Sequence, residues 1–131
     1  MPTYYADASV PIDVPKALAL VRDDILYPGA PGCPVRSTNV DDEDWLRVAG
    51  EQDWVVVMKD DKIRFRRWER DALMKAGVRA FCMTTAGNYT RWRTLQLLAQ
   101  RWDAMEEIAT MEAGPYVYGV TQAGVRPLRL E

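Results

Sequence analysis

Trp54-Val55-Val56-Val57-Met58-Lys59-Asp60-Asp61 is the stretch whose reading decides the fold. Trp54–Met58 is an unbroken apolar run with three consecutive valines, and β-branched side chains suit the pleated surface of a sheet. A run without polar alternation is the pattern of a strand covered on both faces, as in the middle of a parallel sheet. The run stops abruptly at Lys59-Asp60-Asp61, so charge is delivered at the carboxyl end of that strand.

On either side the pattern changes period. Before it, Asp41–Gln52 has an acidic first turn and the Trp45/Val48/Ala49 spacing of a helix. After it, Arg67–Ala76 reads as a helix stopped by Gly77, and Val78–Thr84 as the next strand. Thr90–Met111 reads as a long helix whose apolar stripe runs through Trp92, Leu95, Leu98/Ala99, Trp102, Met105 and Ile108/Ala109, with Trp92 and Trp102 expected in the core or in a dimer seam. Tyr116–Thr121 and Val125–Leu130 are weaker terminal strands that can pair through Gly124.

Toward the N-terminus, Thr3–Ala6 reads as a short strand and Val14–Arg22, with Pro15 in its first turn, as a helix. Ile25–Tyr27 leads into a Pro/Gly-rich loop, YPGAPGCPVRSTN, over residues 27–39. Strands alternating with helices predict an α/β fold of three layers, α/β/α, with a mainly parallel central sheet and right-handed crossovers. At 131 residues the length suits one domain, 1–131, so the motifs are read as parts of one site.

Composition narrows the chemistry. The apolar fraction of 48% and charged fraction of 27% are those of a folded domain. No run reaches the roughly 18 apolar residues of a membrane span, and MPTYYADASV is no secretory leader, so a cytoplasmic protein is expected. Cys33 and Cys82 have no metal or disulfide spacing and are expected to be reduced. Histidine is absent, which excludes Ser-His and Cys-His nucleophile systems, imidazole bases and His-ligated zinc or iron. Carboxylate, hydroxyl and lysine chemistry remain.

Ligands of an open parallel sheet bind outside the carboxyl ends of its strands. Asp7 closes the first strand, Asp60 and Asp61 close the buried one, and the acids Asp41, Asp42, Glu43 and Asp44 open a helix expected to face the same edge. Carboxylates gathered there repel one another unless a cation compensates them. Hard oxygen donors without histidine or thiolate point to Mg²⁺ or Mn²⁺ and to hydrolysis of a phosphodiester. Thr84, at the end of its strand, is a further candidate ligand. Taken singly, each aspartate can equally be a helix cap or a dipole partner.

Directly after Asp60 and Asp61, residues 62–70 (KIRFRRWER) hold five basic residues, one acid and two aromatics. In a chain of net charge −2, such a local concentration suits a polyanion. Lys62, Arg64 and Arg67 can hold a phosphate backbone while Phe65 or Trp68 stacks on a base. The competing reading is a solvated helix face with its aromatics in the core.

Three blocks carry a resemblance: YYADASVP at 4–11, the run from Val40 to Phe81, and GPYVYGVTQAGVRPL at 114–128. Together they resemble the PIN-like domains of the VapC toxin type. In that family one aspartate closes the first strand, a second stands three residues before the apolar or Trp position opening a helix, and a third follows a V-V-x-x-(K/R)-D strand. The corresponding positions here are Asp7, Asp42 and Asp60, with Asp44 next in line after Asp42. The resemblance implies a Mg²⁺- or Mn²⁺-dependent endoribonuclease that prefers single strands, usually dimeric, and silenced by a cognate antitoxin.

One departure stands out: Asp7-Ala8-Ser9 occurs where the family often has Asp-Glu-Asn. It supports an alternative, a catalytically degenerate PIN-like module that binds RNA or protein. A third class, phosphoryl transfer on an aspartate, is disfavoured because Asp7-Ala8-Ser9 lacks the second acid of a DxD pattern.

Overall fold

The valine-rich run forms the centre of the molecule, with no residue of Val55–Met58 more than 2% exposed. A computed structural model describes residues 2–59, 67–84, 86 and 88–128, the side chains of 67–69 excepted. Along the chain the elements are β1 (Tyr4–Ala6), α1 (Asp13–Ala19), β2 (Ile25–Leu26), α2 (Asp42–Glu51), β3 (Val55–Met58), α3 (Arg67–Ala76), β4 (Arg79–Cys82), α4 (Arg91–Met111), β5 (Tyr116–Thr121) and β6 (Gly124–Pro127).

All six strands form one sheet in the order β2-β1-β3-β4-β5-β6. The first five are parallel, and β6 returns antiparallel to β5 through Gly124. Gly124 has φ +143°, a conformation that L side chains rarely adopt. The register sets Ala6 beside Val57 and Met58 beside Cys82. Two further bonds carry the ladder past the strand ends, from Asp7 N–H to the Val57 carbonyl (3.1 Å) and from Met83 N–H to the Met58 carbonyl (2.8 Å).

Alternation divides the strand side chains between two cores. Tyr4, Ala6, Val55, Val57 and Phe81 pack with Val14 of α1 and with Leu97, Leu98, Trp102 and Met105 of α4. Tyr5, Val56, Met58, Ala80 and Cys82 face the other way, against Trp45, Leu46 and Ala49 of α2 and Leu73 of α3. The fold is therefore the expected three-layer α/β/α arrangement. Cys33 and Cys82 are both buried, and among the described residues no helix is long and apolar enough to cross a membrane.

One expectation needs correction. The crossovers through α1, α2 and α3 share a hand. The step from β4 to β5 goes the same way as that from β3 to β4, yet α4 lies on the face of α1 and not of α3. Its crossover thus has the opposite hand, against the strong general preference for one hand. The physical reason is coverage: α2 and α3 already fill one face, while α1, seven residues long, is too short to cover the other. The 21-residue α4 closes it with the larger part of its apolar side chains.

Boundaries shift in places. Helix α1 ends at Ala19, not Arg22, leaving Leu20 and Val21 exposed. β4 is shorter than Val78–Thr84, and β6 covers Gly124–Pro127 rather than Val125–Leu130. Most of the expected α4 stripe holds, with Leu95 and Ile108 packed against the core, but not all of it. Thr94, Leu97, Leu98, Trp102, Met105 and Ala109 are buried, whereas Ala99 is exposed and Trp92 is 67% exposed. Trp92 is thus no core residue. Trp92 stands two residues before the wholly buried Thr94, about 200° away around the helix at 3.6 residues per turn, so it lies on the side of the first turn away from the core.

Candidate functional site

The carboxyl edge of the sheet is built by the ends of β1, β3 and β4 and the first turns of α2 and α4. Asp7 leaves β1 here, half-buried. Its Oδ1 accepts hydrogen bonds from the Ser9 N–H (3.1 Å) and from the Ser9 hydroxyl. This is a local side-chain turn, which a carboxylate two residues before a serine readily makes. The Ser9 hydroxyl in turn accepts from the Lys59 N–H (3.0 Å), clamping the end of β3 to the Asp7 carboxylate. The Lys59 ammonium donates to the Tyr89 carbonyl (3.3 Å), tying the same strand end to the approach of α4.

Helix α2 supplies the second carboxylate. Among its opening acids, Asp41, Glu43 and Asp44 are exposed and Asp42 is half-buried. The Trp45 indole N–H donates to Asp42 Oδ1 (2.8 Å), as residues three apart on a helix can. Asp44, the alternative, is 59% exposed in its side chain and lies 3.8 Å from Arg47, a solvated pair of little energetic weight.

Tyr5 packs against two tryptophans beneath this edge. Its ring stacks on Trp54 (5.0 Å) and tilts against Trp45 (5.6 Å), contacts of about 0.5–1.5 kcal/mol each. Burial pushes the Tyr5 hydroxyl above the usual tyrosine range, and the negative charges of Asp7 and Asp42 add to the shift. Both aspartates therefore lie within electrostatic reach of one hydroxyl, which stays neutral.

Thr84 is half-buried just past β4. Arg67 is the first residue of α3, with its side chain outside the described set. Asp60, Asp61, Lys62 and Arg64 lie outside the described residues, as do Phe65 and the side chain of Trp68. Among the described residues no group of three or more His, Cys, Asp or Glu side chains is placed to hold a metal ion. The donors that are described at this edge, two carboxylates with a serine hydroxyl beside one of them, are hard oxygens. Their chemistry fits Mg²⁺ or Mn²⁺ and not a thiophilic metal.

Sequence reading missed Ser9 and Trp45 as the groups that hold these carboxylates, and Lys59 as the donor to Ser9. The signals were present at short range, in the Asp-x-Ser spacing and in the i, i+3 placement of Asp42 and Trp45. The Lys59 bond joins residues 50 apart and had no local signal.

Compared with known protein families, residues 2–85 match the model described as PIN like domain. No curated protein and no solved structure matches the chain.

Proposed function

The chain belongs to the PIN like domain family, whose members are generally nucleases, and from that premise we propose that it is a metal-dependent endoribonuclease, the toxin of a toxin–antitoxin pair. The observation that supports this reading is that Asp7 follows β1 and Asp42 opens α2, both at the carboxyl edge of the sheet, each half-buried and each hydrogen-bonded by a neutral donor. RNA is the substrate on this reading. A cognate antitoxin is the silencing partner, the cytoplasm the place of action, and a second copy of the chain a candidate dimer partner.

Asp7 and Asp42, with Asp60 as the third member, would hold Mg²⁺ or Mn²⁺. Such an ion, when bound, activates water and offsets charge on a phosphodiester. The chain's own contribution is orientation. Ser9 and Trp45 each occupy an oxygen of their carboxylate, limiting its rotation, in the way that outer partners fix metal ligands. The Ser9–Lys59 bond sets the end of β3, from which Asp60 follows. Lys62, Arg64 and Arg67 would hold the RNA backbone.

The test is cleavage of purified single-stranded RNA with Mg²⁺ or Mn²⁺, with and without chelator. Asp7→Asn and Asp42→Asn are each expected to lower the rate by at least about 100-fold. Full metal-dependent cleavage by Asp7→Asn would sink the reading. Ala8, exposed beside Asp7 and bringing no carboxylate, favours a second reading, a PIN-like binding module without catalysis. Calorimetry separates the two: absence of Mn²⁺ binding together with retained RNA binding would establish the module.

A further inference from the structure

We propose that the first turn of α4 is a contact surface for single-stranded RNA, with Trp92 as the stacking platform for an unpaired base and Arg93 as a contact to the backbone. The proposal rests on the ribonuclease reading and extends it to residues outside the acidic edge. Trp92 is 67% exposed, on the side of the first turn away from the buried Thr94. An indole left in water has a large apolar face to give to a ligand. Every nucleobase offers a matching π-face, provided that it is not already paired.

Charge favours a nucleic acid over an apolar protein partner. Arg91 is engaged by Asp13, whereas no carboxylate among the described residues pairs with Arg93. Its guanidinium instead lies over the Tyr89 ring, 4.5 Å from the centroid, which holds an exposed cation beside the exposed indole. The first turn of α4 has no acidic residue, so the positive end of the helix adds to the same potential.

Continuity with the acidic edge is direct. Arg93 packs on Tyr89, the Tyr89 carbonyl accepts from Lys59, the Lys59 N–H donates to Ser9, and Ser9 donates to Asp7. The approach to the first turn of α4 is therefore tied to the Asp7 carboxylate through Lys59 and Tyr89, and on this proposal the two form one binding surface.

Binding is measured with a fluorescent single-stranded oligoribonucleotide on the full chain carrying Asp7→Asn, so that cleavage does not interfere. Adding Trp92→Ala is expected to raise Kd by about 5- to 150-fold, the range for removing one base–aromatic stack, while Trp92→Phe restores most of the affinity. Arg93→Gln is expected to lower the slope of log affinity against log salt by about one. Since Trp92 is exposed, the thermal midpoint is expected to stay unchanged. Affinity equal to the parent in Trp92→Ala overturns the platform alone. The same result accompanied by a shift from dimer to monomer in light scattering assigns Trp92 to a contact between copies and also overturns it. A parent that binds no RNA overturns the ribonuclease reading and the platform with it.

Discussion

Replacing Gly50 by alanine tests the packing that carries Asp42. Gly50 lies on the face of α2 that meets α3, and a Cβ there would stand 2.2 Å from the Ala76 carbonyl oxygen, 3.1 Å from its carbon and 3.2 Å from the Ala76 Cβ. Ordinary contact begins near 3.4 Å, so the two helices must part by about 1 Å. The obstacle is backbone and cannot swing aside like a flexible side chain. Two effects compete. Alanine favours a helix interior over glycine by about 0.5–1 kcal/mol, while overpacking a filled contact costs about 1–3 kcal/mol. The clash should win, because parting the helices also loosens Leu46, Ala49 and Leu73. Net destabilisation of about 1–2 kcal/mol corresponds to a fall in Tm of roughly 3–8 °C at this chain length. Thermal unfolding of both proteins by circular dichroism or calorimetry measures it. A Tm equal to or above that of the parent would refute the reasoning, since propensity would then have outweighed the contact.

Trp45→Phe keeps most of the buried ring and removes the donor to Asp42. Mn²⁺ affinity by calorimetry should drop about 10-fold or more, and unchanged affinity would deny Trp45 a role in orienting Asp42. Tyr116 gives a pH prediction. Burial, with smaller contributions from its charged neighbours, pushes its hydroxyl from 10.0 up to about 12. The folded pKa lies above the unfolded one, so this contribution to stability is complete below pH 10 and is lost as pH rises toward 12. Over that window Tyr116→Phe should lose stability less steeply than the parent, by up to one proton, or about 1.4 kcal/mol per pH unit. Identical slopes in denaturant titrations would count against the burial of this hydroxyl.

The valine run Val55–Val57 was legible because a strand covered on both faces leaves a local, one-dimensional signature. The same holds for the acidic opening of α2 and for the period of α4 beyond its first turn. Trp92 was misread for a physical reason: a series of three-residue steps drifts about 60° per step around a helix, so the run from Leu98 back through Leu95 to Trp92 leaves the buried face. Asp42 was drawn from four neighbouring acids through family register; its i, i+3 spacing to Trp45 was a local signal, but Asp41, four residues before Trp45, shares that helix face.

The amino-acid sequence by itself determined the α/β alternation, the central strand and the charge at its carboxyl end, since each is written in neighbouring residues. Only the tertiary structure decided that α4 crosses on the face of α1, that Ser9 clamps Asp7 to Lys59, and that Trp92 faces solvent. These depend on how much of each sheet face the other helices cover and on contacts between residues far apart in the chain, quantities that exist only once the layers have packed.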